Sequence, residues 1–167
     1  MLDLPVYSPS KFSFMRKVYT LVAVLLLCFA ALTTAMAQQA DTATYTGAKA
    51  TKKEYKAAYQ LNSDDDTKIK GTLHNIENAL SDERLAGKLK IELVVHGAGI
   101  KIFMKGGAYE EELKTLKQKG VILAECLNTM RERNITKDQL YDFIGFVPSG
   151  NGELIILQQQ GWAVIHP

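Results

Sequence analysis

Cysteine is scarce. The 167-residue chain has two, too few for a disulfide scaffold, and no Cys/His cluster has the spacing of a structural zinc site. An excess of one charge is also missing. Twenty Lys and Arg stand against 18 Asp and Glu, a formal net charge of +2, which argues against a nucleic-acid-binding surface. No internal repeat is visible. Gly97-Ala98-Gly99 lacks the third glycine and following helix of a dinucleotide fingerprint. No third residue stands out to orient a Cys-His pair, so a hydrolase triad has little support. What remains is one domain, or one domain with an appendage.

The appendage is at the N-terminus. Arg16 and Lys17 precede an uncharged run from Val18 to Ala35, and Ala35-Met36-Ala37 follows. A basic region, an apolar stretch and an A-x-A site mark a secretory signal peptide over residues 1–37. Asp3 and Pro5 sit awkwardly before it, so Met15 is an alternative start. An uncleaved anchor is the rival reading, but this run is short and polar at its end against the ~20 apolar residues that a span needs. Cleavage removes Lys11, Arg16, Lys17 and Asp3, leaving 130 residues with 17 basic and 17 acidic side chains. The mature protein is then exported, periplasmic or secreted, with no membrane attachment and no nucleic-acid partner. It keeps a single thiol, Cys126.

Residues 38–53 lack an apolar period and read as a flexible lead-in. Strand and helix signals then alternate over residues 54–167. Strands are expected at Tyr55 to Leu61, Lys90 to His96, Val121 to Leu127, Phe143 to Val147 and Trp162 to Ile165. Ile69, Leu73, Ile76 and Leu80 share one helical face. Glu110 to Glu112 open a second helix that Gly120 ends. Asn128 to Asn134 makes a third, short helix; Thr136 and Gln139 fit a capping box. A last helix is expected over Glu153 to Gln160, after a loop from Pro148 to Gly152. Five strands separated by helices imply βαβ units: a three-layer α/β/α sandwich around a mostly parallel five-stranded sheet.

Ligands of open α/β sheets bind beyond the carboxyl ends of the strands. Four loops qualify: Asn62 to Asp66, His96 to Gly99, Cys126 to Thr129 and Pro148 to Gly152. Cys126 ends the third strand just before a helix near Asn128, where the dipole and unpaired N–H groups favour thiolate. Against this, a buried cysteine is otherwise an inert small hydrophobe. Adjacent Glu125 should point to the opposite face by strand alternation. His96 closes the second strand, either as a base or hydrogen-bond donor for Cys126 or as a residue merely hydrogen-bonded there. Asp64-Asp65-Asp66 reads as a cap and solvated turn rather than a metal site. No metal or cofactor is assigned.

The stretches YQLNSDD (Tyr59 to Asp65), IELVVHGAGI (Ile91 to Ile100), AECLNTMRERNI (Ala124 to Ile135) and VPSGNGELIILQQQGWAVIHP (Val147 to Pro167) resemble the DsrE/DsrF-like family, and within it an exported branch. The resemblance covers about residues 54–167. It implies a five-stranded α/β/α sandwich that assembles as a homotrimer or hexamer. In sulfur-relay members a cysteine at this strand end carries a persulfide between donor and acceptor proteins, and Cys126 matches it, ahead of the basic pair Arg131 and Arg133. His96 and Gly97 match the second-strand turn; Asn62 and Asn128 complete the implied pocket. The leader is a departure, since the known relays work in the cytoplasm. Two functions follow: a sulfur carrier or sulfurtransferase forming a persulfide on Cys126, or a non-catalytic small-ligand-binding or assembly module in which Cys126 is inert.

Overall fold

The computed structural model describes residues 45–167. The expected leader over residues 1–37, the alternative start at Met15 and residues 38–44 of the lead-in lie outside the described residues. The chain divides into two compact units, Met1–Ala48 and Lys49–Pro167. Of the first, only Tyr45 to Ala48 are described, without regular secondary structure. In the second, no regular element precedes Tyr55.

Five strands and four helices then alternate: β1 (Tyr55–Leu61), α1 (Asp66–Ser81), β2 (Leu89–Val95), α2 (Glu110–Gln118), β3 (Ile122–Cys126), α3 (Leu127–Glu132), β4 (Gly145–Val147), α4 (Gly150–Gln159) and β5 (Ala163–Ile165). A 3-10 segment, Gly97–Phe103, follows β2. The sheet order is β4-β3-β2-β1-β5, and all four strand pairings are parallel.

Handedness decides which face each helix covers. From β1 to β4 the chain steps across the sheet in one direction, so right-handed crossovers put their helices on one face. The return from β4 to β5 runs the opposite way and places α4 on the other face. The side chains agree. Ile69, Leu73 and Ile76 of α1, Leu113 and Leu116 of α2, and Met130 of α3 join Leu61, Leu93, Val95 and Leu123 in the main core. Leu154 and Leu157 of α4 pack instead on Ala58 and Val94, which alternate with that set along β1 and β2. Ile69, Leu73 and Ile76 are fully buried, each worth roughly 1.5–3 kcal/mol of transfer free energy.

Local signals fix the helix ends. The Asp65 carboxylate caps α1 by accepting from the Lys68 N–H at 2.9 Å. Asp66 takes Lys101 Nζ at 3.0 Å and the Tyr109 hydroxyl at 2.9 Å, so the acidic run serves the helix start and its neighbours. The capping box at Thr136 and Gln139 is present. Two expectations need correcting. The α4 helix begins at Gly150, not Glu153, because the Ser149 hydroxyl accepts from the Gly152 N–H at 3.2 Å and caps it. β4 begins at Gly145, not Phe143; the Phe143 ring stacks on Tyr141 with centroids 5.1 Å apart instead.

Candidate functional site

The connections leaving β1, β2 and β3 all turn onto the main-core face, as shown by Ile69, Ile102 and Met130. The connection leaving β4 turns onto the other face with Leu154. Adjacent strands therefore send their chains to opposite sides at one place, between the carboxyl ends of β3 and β4. Open α/β sheets bind ligands at such a switch point. Cys126 is the last residue of β3 and also the N-cap of α3, one residue closer to the helix than a start at Asn128 implies.

Strand alternation puts Cys126 on the α4 face. The residue is 4% exposed, and burial alone raises a thiol's pKa. Here hydrogen-bond donors outweigh burial: the Thr129 and Gly150 backbone N–H groups, the Thr129 hydroxyl and the Asn128 N–H together hold the pKa below its ordinary value. The Thr129 N–H lies 3.5 Å from Sγ. The donors come from two helix starts, α3 and α4, and the partial positive charge there favours thiolate further.

Other strand ends close around this point. The Gly97 N–H donates to Thr129 Oγ1 at 2.8 Å, tying the end of β2 to α3. Gly97 has φ 59°, a left-handed conformation that glycine adopts freely. The ring of His96 lies against Gly150: a Cβ at Gly150 would stand 2.9 Å from His96 Cβ. Only glycine at the first position of α4 lets this helix start approach both His96 and the thiol.

His96 is hydrogen-bonded at the end of β2. Gln60 Nε2 lies 2.8 Å from His96 Nε2; an amide N–H donates, so that ring nitrogen accepts. Burial, and then the charge of His166, keep the ring's pKa below its usual value. His96 is thus a half-buried imidazole held by Gln60, and no hydrogen bond from it to the thiol is present among the described residues. Asn62 is exposed at the end of β1, with its carbonyl 3.6 Å from the position of a Cβ on Gly97. The Asn128 side chain accepts from Arg131 at 2.7 Å. Of the expected set, the Asn128 backbone reaches the Cys126 thiol, Gly97 reaches it through Thr129, and His96 lies against Gly150.

Sequence reasoning missed Thr129 and Gly150. The signal for Thr129 was its position three residues after an N-cap, where side chains meet the first turn. The sequence places Glu125 on the face opposite Cys126 but does not show that it and a second acid, Glu92, are buried. Glu125 is fully buried on the main-core face, and neither oxygen has a partner at hydrogen-bonding geometry. Burial pushes its pKa up to about 9, with the Cys126 N–H pulling weakly the other way. Glu92, on the α4 face, is pushed up to about 7 by burial and then by the charge of Glu153.

Two open depressions of about 480 and 430 Å³ lie along α2 and β4, the first with Lys105 and Tyr141 in its lining, the second with Ile122 and Gly145. Neither touches Cys126. Among the described residues, no helix is long and apolar enough to cross a membrane, and no three His, Cys, Asp or Glu side chains cluster as metal ligands.

The model of the DsrE/DsrF-like family matches residues 28–167. Among solved structures, the protein of unknown function MTH1491 from Methanobacterium thermoautotrophicum is 26% identical with a TM-score of 0.65; the match covers 68% of this chain and 100% of that one. The conserved protein of unknown function BT1422 from Bacteroides thetaiotaomicron has a TM-score of 0.52 at 13% identity, covering 67% and 94%, a likeness of fold alone. No curated protein matches the chain.

Proposed function

The chain belongs to the DsrE/DsrF-like family, and from that premise we propose that it is an exported sulfur carrier loaded at Cys126. One observation carries the reading: a buried thiol at the β3–β4 switch point receives donors from the starts of α3 and α4, which hold its pKa down despite burial. In the loading step the Cys126 thiolate attacks the outer sulfur of a sulfane-sulfur donor. With thiosulfate, the new S–S bond forms as the donor's S–S bond breaks. The products are the Cys126 persulfide anion and sulfite, so charge and electrons balance. An acceptor thiolate then takes the outer sulfur and regenerates the Cys126 thiolate. Donors already aimed at Sγ suit a species that stays anionic at both stages. The leader at the N-terminus supports action outside the cytoplasm.

A homo-oligomer fits the same reading. One helix covers the α4 face, and Ile155 and Ile156 on that helix are 62% and 52% exposed, with Ile122 of β3 at 50%. Such an apolar set suits a second copy of the chain. Light scattering on the purified protein is expected to give a trimer or hexamer; a monomer at micromolar concentration removes this part of the proposal.

A second reading has an observation of its own. The 4% exposure of Cys126 fits an inert thiol in a ligand-binding or assembly module. Incubation with thiosulfate or polysulfide, followed by peptide-resolved mass spectrometry, separates the two. A carrier gains one sulfur on Cys126, passes it to an added thiol, and loses all loading in Cys126→Ser with the fold intact. Loading that persists in Cys126→Ser defeats the carrier reading. A native thiol that neither loads nor alkylates until the protein unfolds establishes the inert one.

A further inference from the structure

Three helical threonines use their hydroxyls differently. Thr72 in α1 donates to the Lys68 carbonyl at 2.8 Å, and Thr115 in α2 donates to the Glu111 carbonyl at 2.8 Å. This back-bonding to the preceding turn is the ordinary choice of a threonine inside a helix. Thr129 in α3 departs from it. Its Oγ1 accepts the Gly97 N–H at 2.8 Å, a bond that reaches across from the end of β2. The residue is 4% exposed, which leaves little room for water to take its one hydroxyl hydrogen. The Cys126 sulfur stands beside it, three residues back, with the Thr129 N–H already 3.5 Å from Sγ.

We infer that Thr129 sets the charge state of Cys126: Gly97 pins the hydroxyl oxygen from one side, and the remaining hydrogen is donated to the sulfur on the other. The inference rests on Cys126 being the working thiol of the proposed carrier and adds the residue that keeps it anionic. A hydroxyl that already accepts a hydrogen bond is a better donor, so Gly97 strengthens the bond to sulfur as well as aiming it. The same donor would remain in place for the inner sulfur of a persulfide. Thr129 is in this sense a positioning residue for the thiolate, and its hydroxyl, not its shape, is what matters.

The test uses the full-length chain and three variants: Thr129→Val, which keeps the branched shape, Thr129→Ala, and Thr129→Ser, which keeps the hydroxyl. Iodoacetamide alkylation is followed against pH, with mass spectrometry separating the Cys126 peptide from that of Cys28. The expected result is an upward displacement of the apparent Cys126 pKa by about one unit in Thr129→Val, near tenfold less thiolate around neutral pH. The wild-type profile should return in Thr129→Ser. Thr129→Ala should follow Val if Val perturbs packing. An unchanged profile in a folded hydroxyl-free variant overturns the inference, as does a profile displaced equally in Ser and Val. If neither Val nor Ala folds, as judged by circular dichroism, Thr129 is an architectural residue and the inference also falls. Sulfur loading read on the same samples keeps the two claims apart. A displaced profile without wild-type loading defeats the carrier reading alone, and normal loading with an unchanged profile defeats this inference alone.

Discussion

Glu125 and Cys126 are neighbours on one strand, both buried, and they titrate in opposite senses. Glu125 faces the main core under α1, α2 and α3, finds no hydrogen-bond partner, and is pushed up to about 9. Cys126 faces the α4 side, receives donors from two helix starts, and is held below its usual value. Burial is common to both, so burial does not decide which form persists. The supply of hydrogen-bond donors decides it. On one face of the sheet a carboxyl stays neutral for lack of donors; on the other a thiol is drawn toward its anion by a surplus of them.

The comparison breaks first at Glu125. Its folded pKa lies above the unfolded value near 4.5, so between these two the unfolded chain releases a proton that the folded chain keeps. Stability is therefore fully present below about pH 4.5 and lost as pH rises toward about 9, at ~1.4 kcal/mol per pH unit for one such group. Glu92 adds a second proton over the narrower window from about 4.5 to about 7. Urea unfolding at a series of pH values should show this falling slope. Glu125→Gln should remove it above pH 7 and leave the protein more stable than wild type at pH 9. Glu92→Gln should flatten only the portion below pH 7. A wild-type stability that is level from pH 5 to pH 9 would mean that Glu125 has a partner the fold conceals.

How much of this was legible in the sequence depends on the range of the interaction. β1 spans Tyr55–Leu61 as the sequence predicts, because its apolar run and the Asn62 to Asp66 turn are local signals. α4 begins three residues before the expected Glu153, since Gly150-Asn151-Gly152 reads as loop punctuation unless Ser149 is recognised as its cap. Cys126 and His96 were found as strand-end residues, a matter of counting. The work of Thr129 was not, because its hydroxyl partner is the N–H of Gly97, 32 positions away. Likewise alternation sent Glu125 to the face opposite Cys126, but nothing local says that the space there holds no donor.

The donor-rich side of the comparison is tested most sharply at Gly150, where two general rules give opposite signs. Replacing a glycine within a helix by alanine ordinarily stabilises, by roughly 0.5–1 kcal/mol, because the unfolded chain loses freedom. Here the new methyl would stand 2.9 Å from His96 Cβ and 3.1 Å from its Cδ2, closer than such carbons approach. His96 Cβ moves only with its backbone, and the ring beyond it is bonded to Gln60 at 2.8 Å, so the start of α4 must retreat instead. Overpacking of this kind costs about 1–3 kcal/mol, leaving Gly150→Ala less stable than wild type by ~1 kcal/mol in denaturant unfolding. The retreat also withdraws the Gly150 N–H from the sulfur, so the alkylation profile of Cys126 should move to higher pH in the same variant. A stabilised Gly150→Ala with an unchanged thiol would show that His96 yields at no cost and that α3 alone supplies the donors. Adding Gln60→Ala separates the contacts: a freed ring relieves only the one at Cδ2, so most of the lost stability and lost thiolate should persist while the Cβ contact remains.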